Sequence, residues 1–216
     1  FSEDMASLGC LPPSMEPKAT EHIGDIVGMT ERLIEKGHAY ETGDGDVYFA
    51  VESLASYGAL SGRKLEDGRA GRSDRVAAVH PRKKHPGDFA LWKAAKQGEP
   101  TWQSPWGPGR PGWHIECSAM CSDILGEAVD INGGGIDLNF PHHENQMAQC
   151  EAHYNCCGWV NYFLHSGHLQ IEGRKMSKSL KNFVTIREVL DEYRPEAVRF
   201  LFLLHKYHEP MESSQN

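Results

Sequence analysis

Residues 112–146 read GWHIECSAMCSDILGEAVDINGGGIDLNFPHHENQ. Residues 115–125 space their apolar side chains as a helix does. Residues 128–131 are short and apolar, as a buried strand is, and they run up to Gly133, Gly134 and Gly135. Pro141 then opens a helix predicted to reach about Tyr154, because proline in a first turn gives up no needed N–H. A strand that meets glycines and then a helix is a ligand-binding turn of an α/β sheet, at the carboxyl end of the strand. The same stretch carries Cys117, Asp137, His142, His143 and Gln146. His142 and Gln146 stand at i and i+4, so they share one face of the second helix.

Downstream lies a second compact cluster, Lys175-Met176-Ser177-Lys178-Ser179. Two lysines separated by two residues, with small serines beside them, suit a loop that closes on a polyphosphate. Their ammonium groups would offset the charge that develops in phosphoryl or nucleotidyl transfer. Cys117 and His142, with His143 beside it, form a partial zinc set, a thiolate from one element and an imidazole from another. A cysteine near a histidine is more often plain packing than a metal site, and a lysine-rich surface loop needs no ligand. Gln146 is an unusual zinc donor.

The flanking sequence frames these clusters. Ile23, Ile26, Val27, Leu33 and Ile34 recur at helical spacing behind Pro17, and Gly37 is a C-terminal stop. Residues 38–41 and 46–51 read as a hairpin about Gly43-Asp44-Gly45. Residues 52–87 are polar and glycine-rich, a long excursion. Residues 88–92 read as a buried strand. The stretch that follows holds Trp102, Trp106 and Trp113 among prolines and glycines that exclude regular structure over most of it. The tryptophans most simply plug a core edge. Residues 160–165 and 168–171 read as strands. Thr185 and Glu188 form a capping box that opens a helix to about Tyr193. Pro195 opens another, whose Val198, Phe200, Leu201, Leu203 and Leu204 are expected to be buried. Residues 209–216 are polar and expected to fray. Strands alternating with helices favour an α/β fold with a mainly parallel sheet.

Composition bounds the function. The chain has 216 residues and a net charge of −8, which argues against a generally basic nucleic-acid-binding surface. Positive charge collects locally at Arg82-Lys83-Lys84 and from Arg174 to Lys181, where a solvated face is the simpler reading. No run of about 18 apolar residues suggests a membrane span. Six cysteines without paired CxxC spacing, in a chain of this length, point to reduced thiols rather than a disulfide framework. The chain opens at Phe1 without a signal-like segment, so it is expected to be a piece of a longer protein.

Together, GWHIECSAM at 112–120, GGGIDLNFPHHEN at 133–145 and KMSKSLKNF at 175–183 resemble the motifs of the cysteinyl-tRNA synthetases, a family of class I aminoacyl-tRNA synthetases. DFALWK, SPWGPGRPGWH and HSGHL add to the resemblance, which covers essentially the whole chain, and the wording KMSKSLKN leans to the eukaryotic type. It implies an α/β, Rossmann-like nucleotide-binding fold, present as its second half with a connective insertion and the start of a helical stem-contact region. Residues 1–87 would hold the end of the first half-fold and the connective region, 88–173 the second half, and 174–216 the KMSKS loop and following helices.

The resemblance also implies chemistry. Such enzymes activate L-cysteine with ATP and Mg2+ to cysteinyl-adenylate and transfer it to the terminal adenosine of tRNA(Cys), in the cytoplasm or an organelle. A zinc ion holds the substrate thiolate. Cys117 and His142 match two of its ligands, and Gln146 matches a third that is usually glutamate. Trp113 and Asn132 match substrate-pocket positions, the latter usually histidine. Lys175 and Lys178 match the catalytic lysines, and Lys178, Gly134 and Asp137 the ATP-binding segments. The family's HIGH motif, a further cysteine ligand and the anticodon-reading domain have no counterpart in these residues. The piece alone is therefore expected to be inactive, with an exposed sheet edge that its missing half would cover. A non-catalytic paralogue serving as a structural module is the alternative, and the intact Lys175 and Lys178 argue against it.

Overall fold

A computed structural model of the chain describes residues 1–64, 81–171, 174–176 and 182–213. Residues 65–80 of the long excursion, Lys178 and residues 214–216 lie outside the described residues. The chain divides into two compact units. One comprises Phe1–Glu16, Gly133–Ile136 and Leu164–Asn216, and the other Pro17–Asn132 and Asp137–Phe163.

The larger unit forms around an antiparallel meander. Its strands β1 (Ala39–Glu41), β2 (Val47–Phe49), β3 (Phe89–Ala94) and β4 (Gly109–Pro111) lie in that order. Each pairs antiparallel with its neighbour. This part of the chain thus departs from the expected parallel sheet. The β1–β2 pair is the expected hairpin, whereas the connections over 50–88 and 95–108 are long enough for a crossover, so the antiparallel pairing of β3 and β4 is set by tertiary contacts and not by loop length. β4 forms inside the proline- and glycine-rich stretch expected to lack regular structure. It is an edge strand, where a proline without a ladder donor is tolerated. Trp102 and Gly109 clamp the loop by exchanging backbone bonds of 2.7 and 2.9 Å.

Two helices pack on this sheet and a third packs on both of them. The earliest of them, Ile23–Glu35, buries Ile26, Met29, Thr30 and Leu33 at the predicted spacing. It begins at Ile23 rather than Pro17, behind a 3₁₀ turn at Ala19–Glu21. Gly37 ends it with φ +80°, a left-handed conformation natural to glycine. We number this helix α2, after the short α1 (Ser2–Ser7). α3 (Trp113–Leu125) and α4 (Glu144–Tyr154) complete the set. Ile26, Leu33, Val47, Phe49, Val51, Leu91, Trp92 and Ile115 are fully buried at their centre. Each contributes roughly 1.5–3 kcal/mol by leaving water.

β5 (Val129–Gly135) and β6 (Val160–Ser166) pair in parallel. The Val129 N–H donates to the Trp159 carbonyl at 2.9 Å, and the Ser166 hydroxyl donates to the Gly134 carbonyl at 3.4 Å, so both strands advance together. β5 continues through the glycine run instead of ending at it. Ahead of α4, a π-type turn at Asn139–His143 contains the cis Phe140–Pro141 bond.

The smaller unit carries α1, β7 (Leu169–Ile171), β8 (Arg174–Lys175), α5 (Ile186–Glu192), α6 (Pro195–Leu203) and β9 (Met211–Ser213). The predicted capping box is present. The Glu188 N–H reaches Thr185 Oγ1 at 3.2 Å, and the Thr185 N–H reaches Glu188 Oε2 at 2.7 Å. Residues 211–213 do not fray, because they add to β7 as a parallel strand that satisfies their backbone. The apolar run after Pro195 is not buried: Phe200, Leu203 and Leu204 are 60%, 80% and 64% exposed. An apolar pattern signals a face that prefers cover, but no described residue supplies that cover. Among the described residues no helix is long and apolar enough to cross a membrane.

α4 is buried on nearly all sides although most of its residues are polar. Its first residue, Glu144, is fully buried and accepts the Gly58 and Ser61 backbone N–H groups at 2.9 and 2.7 Å. Glu144→Ala is expected to lower stability by about 3 kcal/mol, because two buried donors lose their acceptor. Urea unfolding of the variant checks this, and a loss under about 1 kcal/mol would mean that water replaces the carboxylate without cost.

Candidate active site

Gly112 fixes where α3 begins. A side chain there would collide with the Ala90 carbonyl oxygen, so only glycine lets the chain turn off β4 against β3. The helix then starts at once with Trp113 and His114. Cys117 follows one turn later on the side of His114. Facing it, the turn before α4 delivers His142 and His143, and the first turn of α4 delivers Gln146.

Most of these residues meet in one cluster, with His114, His142 and Gln146 buried and Cys117 partly so. His142 Nε2 lies 3.2 Å from the Gln146 side-chain nitrogen, and the Gln146 side-chain oxygen accepts from Asn132 Nδ2 at 3.3 Å. Gln146 also hydrogen-bonds the Cys117 thiol. The amide thus sits between the thiol and the imidazole, tethered from behind by Asn132. The Trp113 indole stacks on the His142 ring, centroids 4.2 Å apart and planes 22° apart, with its outer face half exposed.

His114 completes the cluster and was not singled out from the sequence. Its Nδ1 lies 2.9 Å from His142 Nδ1. With the Gln146 amide donating to His142 Nε2, the His142 proton sits on Nδ1 and is given to His114 Nδ1. The Nε2 lone pair of His142 then faces Gln146. The only sequence signal for His114 is its place three residues before Cys117, on the same face of α3.

Burial shifts the titration of every group here. It holds His114 at about 3, aided by the neighbouring His142, and His142 at about 4. Burial first, and then the Glu116 carboxylate, push the Cys117 thiol up, against a smaller pull from Gln146. The cluster therefore offers a neutral imidazole lone pair, a thiol that a bound cation would turn into thiolate, and an amide oxygen that can rotate inward. That donor set can hold zinc, with two conventional ligands and one weak one.

Other sequence-predicted positions fall elsewhere. Asp137 is exposed, in a 3₁₀ turn at Ile136–Leu138. Gly134 lies near the end of β5, in the smaller unit. Lys175 lies in β8 of that unit, and Lys178 is outside the described residues.

The depressed histidines predict a pH dependence for the metal-free protein. The unfolded chain takes up protons below about 6.5, whereas the folded pair stays neutral until about 4. Stability is therefore full above about pH 6.5 and falls with acidification, by up to about 2.7 kcal/mol per pH unit for two groups. Denaturation at pH 7.5 and 5 measures the slope, and His114→Gln should reduce it. An unchanged slope in that variant would mean that His114 is protonated in the fold.

Comparison with known proteins places the chain among the tRNA synthetases. The family described as tRNA synthetases class I (C) catalytic domain matches residues 1–216. A cysteine–tRNA ligase of Pelobacter propionicus is 59% identical over all of this chain and 43% of its own length. A chloroplastic/mitochondrial cysteine–tRNA ligase homologue of rice is 57% identical over 98% of the chain and 36% of its own length. A cysteine–tRNA ligase of Pyrococcus horikoshii is 56% identical over all of the chain and 44% of its own length. The chain thus spans less than half the length of these relatives. Among solved structures, methionyl-tRNA synthetase of Mycobacterium tuberculosis bound to methionyl-adenylate has a TM-score of 0.66 at 14% identity, over 100% of this chain and 52% of its own. A putative arginyl-tRNA synthetase of Campylobacter jejuni has a TM-score of 0.60 at 14% identity, over 98% and 37%. At such identity these two establish the fold alone, a class I synthetase catalytic fold of mixed α/β type. With its full length matched by the family and its fold matched independently, the chain belongs to the tRNA synthetases class I (C) catalytic-domain family.

Proposed function

We propose that the whole protein is a cysteine–tRNA ligase. It would activate L-cysteine with ATP and Mg2+ to cysteinyl-adenylate, release pyrophosphate, and pass the cysteinyl group to the terminal adenosine of tRNA(Cys). The observation that carries this reading is the convergence of Cys117, His142, Gln146 and Trp113 on one cluster. It is supported by the 59% identity to a cysteine–tRNA ligase across the chain.

In this reading Cys117, His142 and Gln146 contribute to holding a zinc ion, with a further ligand from outside these residues. When bound, zinc supplies a soft Lewis acid for the substrate thiolate, which separates cysteine from serine where a hydrophobic pocket could not. Trp113 closes the pocket over the substrate side chain, and Asn132 sets the Gln146 amide. Gly134 and Asp137 belong to the nucleotide side. Lys175 and Lys178 stabilise phosphate charge as pyrophosphate leaves, with no protein nucleophile. The proposed division at residues 87 and 173 separates the connective region, the second half-fold and the KMSKS segment.

Zinc content and cysteine-dependent pyrophosphate exchange of the full-length protein test the proposal together. Metal with exchange supports it, and absence of both would sink it in favour of a non-catalytic paralogue. Two variants refine the test. Gln146→Glu should raise zinc affinity by about tenfold or more, since a carboxylate replaces a neutral amide. Unchanged affinity would mean that position 146 does not face the metal. Lys178→Ala should lower the exchange rate by about 10²–10³-fold, and an unaffected rate would remove Lys178 from the mechanism.

A further inference from the structure

We propose that His22, Asp25 and Asp123 form a separate site for a divalent first-row cation of the Mn2+, Co2+ and Zn2+ class, clamping the start of α2 to the end of α3. His22 Nδ1 lies 3.0 Å from Asp25 Oδ2 and 3.6 Å from Asp123 Oδ2, and all three ligand atoms lie within 4.8 Å of one another. Donor atoms bound to one ion at about 2.0–2.2 Å stand roughly 3.0–3.6 Å apart in octahedral or tetrahedral geometry. Two of the three separations already have that spacing, so closing the set takes only a small movement of Asp side chains. Among the described residues no other group of three histidine, cysteine or carboxylate atoms is this compact.

A hydrogen-bonded clamp alone accounts poorly for the arrangement. Nδ1 carries at most one proton, and two carboxylates from two helices converge on it. Asp25 is at home in the first turn of α2, where the helix dipole welcomes negative charge. Asp123 is not: it stands near the end of α3, whose last turn has no basic residue. There the dipole disfavours a carboxylate, and His22 is its only ion-pair partner among the described residues. A cation at the meeting point would answer both carboxylates and the dipole. The side chains of Asp25 and Asp123 are 49% and 52% exposed, leaving room for water to complete the coordination shell. The imidazole selects first-row ions over Mg2+ and Ca2+.

The site shares no residue with the cluster around Cys117. Asp123 follows Cys117 on α3 by about 9 Å of helix axis. An ion there would tie to α2 the helix that carries Trp113 and Cys117 at its other end.

Mn2+ is the probe, because a hard ion prefers this carboxylate pair to a set that contains a thiol. In the full-length protein without nucleotide, electron paramagnetic resonance should count one bound Mn2+ with nitrogen coupling from a single imidazole. Asp123→Asn should weaken that binding by at least about tenfold. Mn2+ should raise the unfolding temperature of the wild type and not of Asp123→Asn. Asp123 is exposed, so the variant should fold. Binding and nitrogen coupling that survive in Asp123→Asn would overturn the proposal. So would wild-type protein that neither binds Mn2+ nor responds to it in melting, which would leave a simple His–Asp clamp.

Discussion

A buried carboxylate is costly unless hydrogen bonds or a counter-charge replace its water, and the larger unit is arranged around one that has no ion-pair partner among the described residues. Glu144, at the start of α4, takes two backbone N–H groups from the 58–61 segment. Its neighbours extend the pattern: Tyr57 donates to Asn145 at 2.7 Å, Ser118 donates to Gln149 at 2.6 Å, and Gly158 donates to Glu151 at 2.8 Å. A helix of this polarity cannot be held by apolar contact alone. It is held by bonds that reach a loop, a neighbouring helix and the entry to β6. Because His142 and His143 directly precede Glu144, the network that satisfies the carboxylate also sets the imidazoles in place.

Much of this was legible in the sequence, for reasons that differ by element. The α2 spacing, the 46–51 half of the hairpin, the buried strand at 89–94 and the Thr185–Glu188 box depend on local rules, and local rules appear in local sequence. The antiparallel meander, the edge strand at 109–111 and the parallel pairing of 211–213 depend on partners far away in the chain, which no local pattern names. Exposure of Phe200 and Leu203 belongs to the same class, since apolarity predicts a wish for burial and not its fulfilment. At the site, the i, i+4 relation of His142 and Gln146 was readable from spacing. The His114–His142 contact was not, because it joins two helices.

The contact between Asn132 and Gln146 joins the two positions where the resemblance implies histidine and glutamate. Both are neutral amides, and one holds the other by a 3.3 Å hydrogen bond. A glutamate at 146 would bring charge into a pocket whose thiol and imidazoles are all biased towards their neutral forms by burial. The amide pair keeps the pocket uncharged and ordered before any cation arrives.

The close approach of Gly112 to the Ala90 carbonyl has a consequence for how this region can change over evolutionary time. It pins the angular phase of α3, since the helix must begin where the backbone can pass β3. One residue inserted between Gly112 and Cys117 would rotate the thiol by about 100° away from Gln146. The same insertion after Leu125 would only lengthen a turn. Insertions and deletions are therefore funnelled to the far end of α3, while the pocket end can vary only by substitution, one side chain at a time.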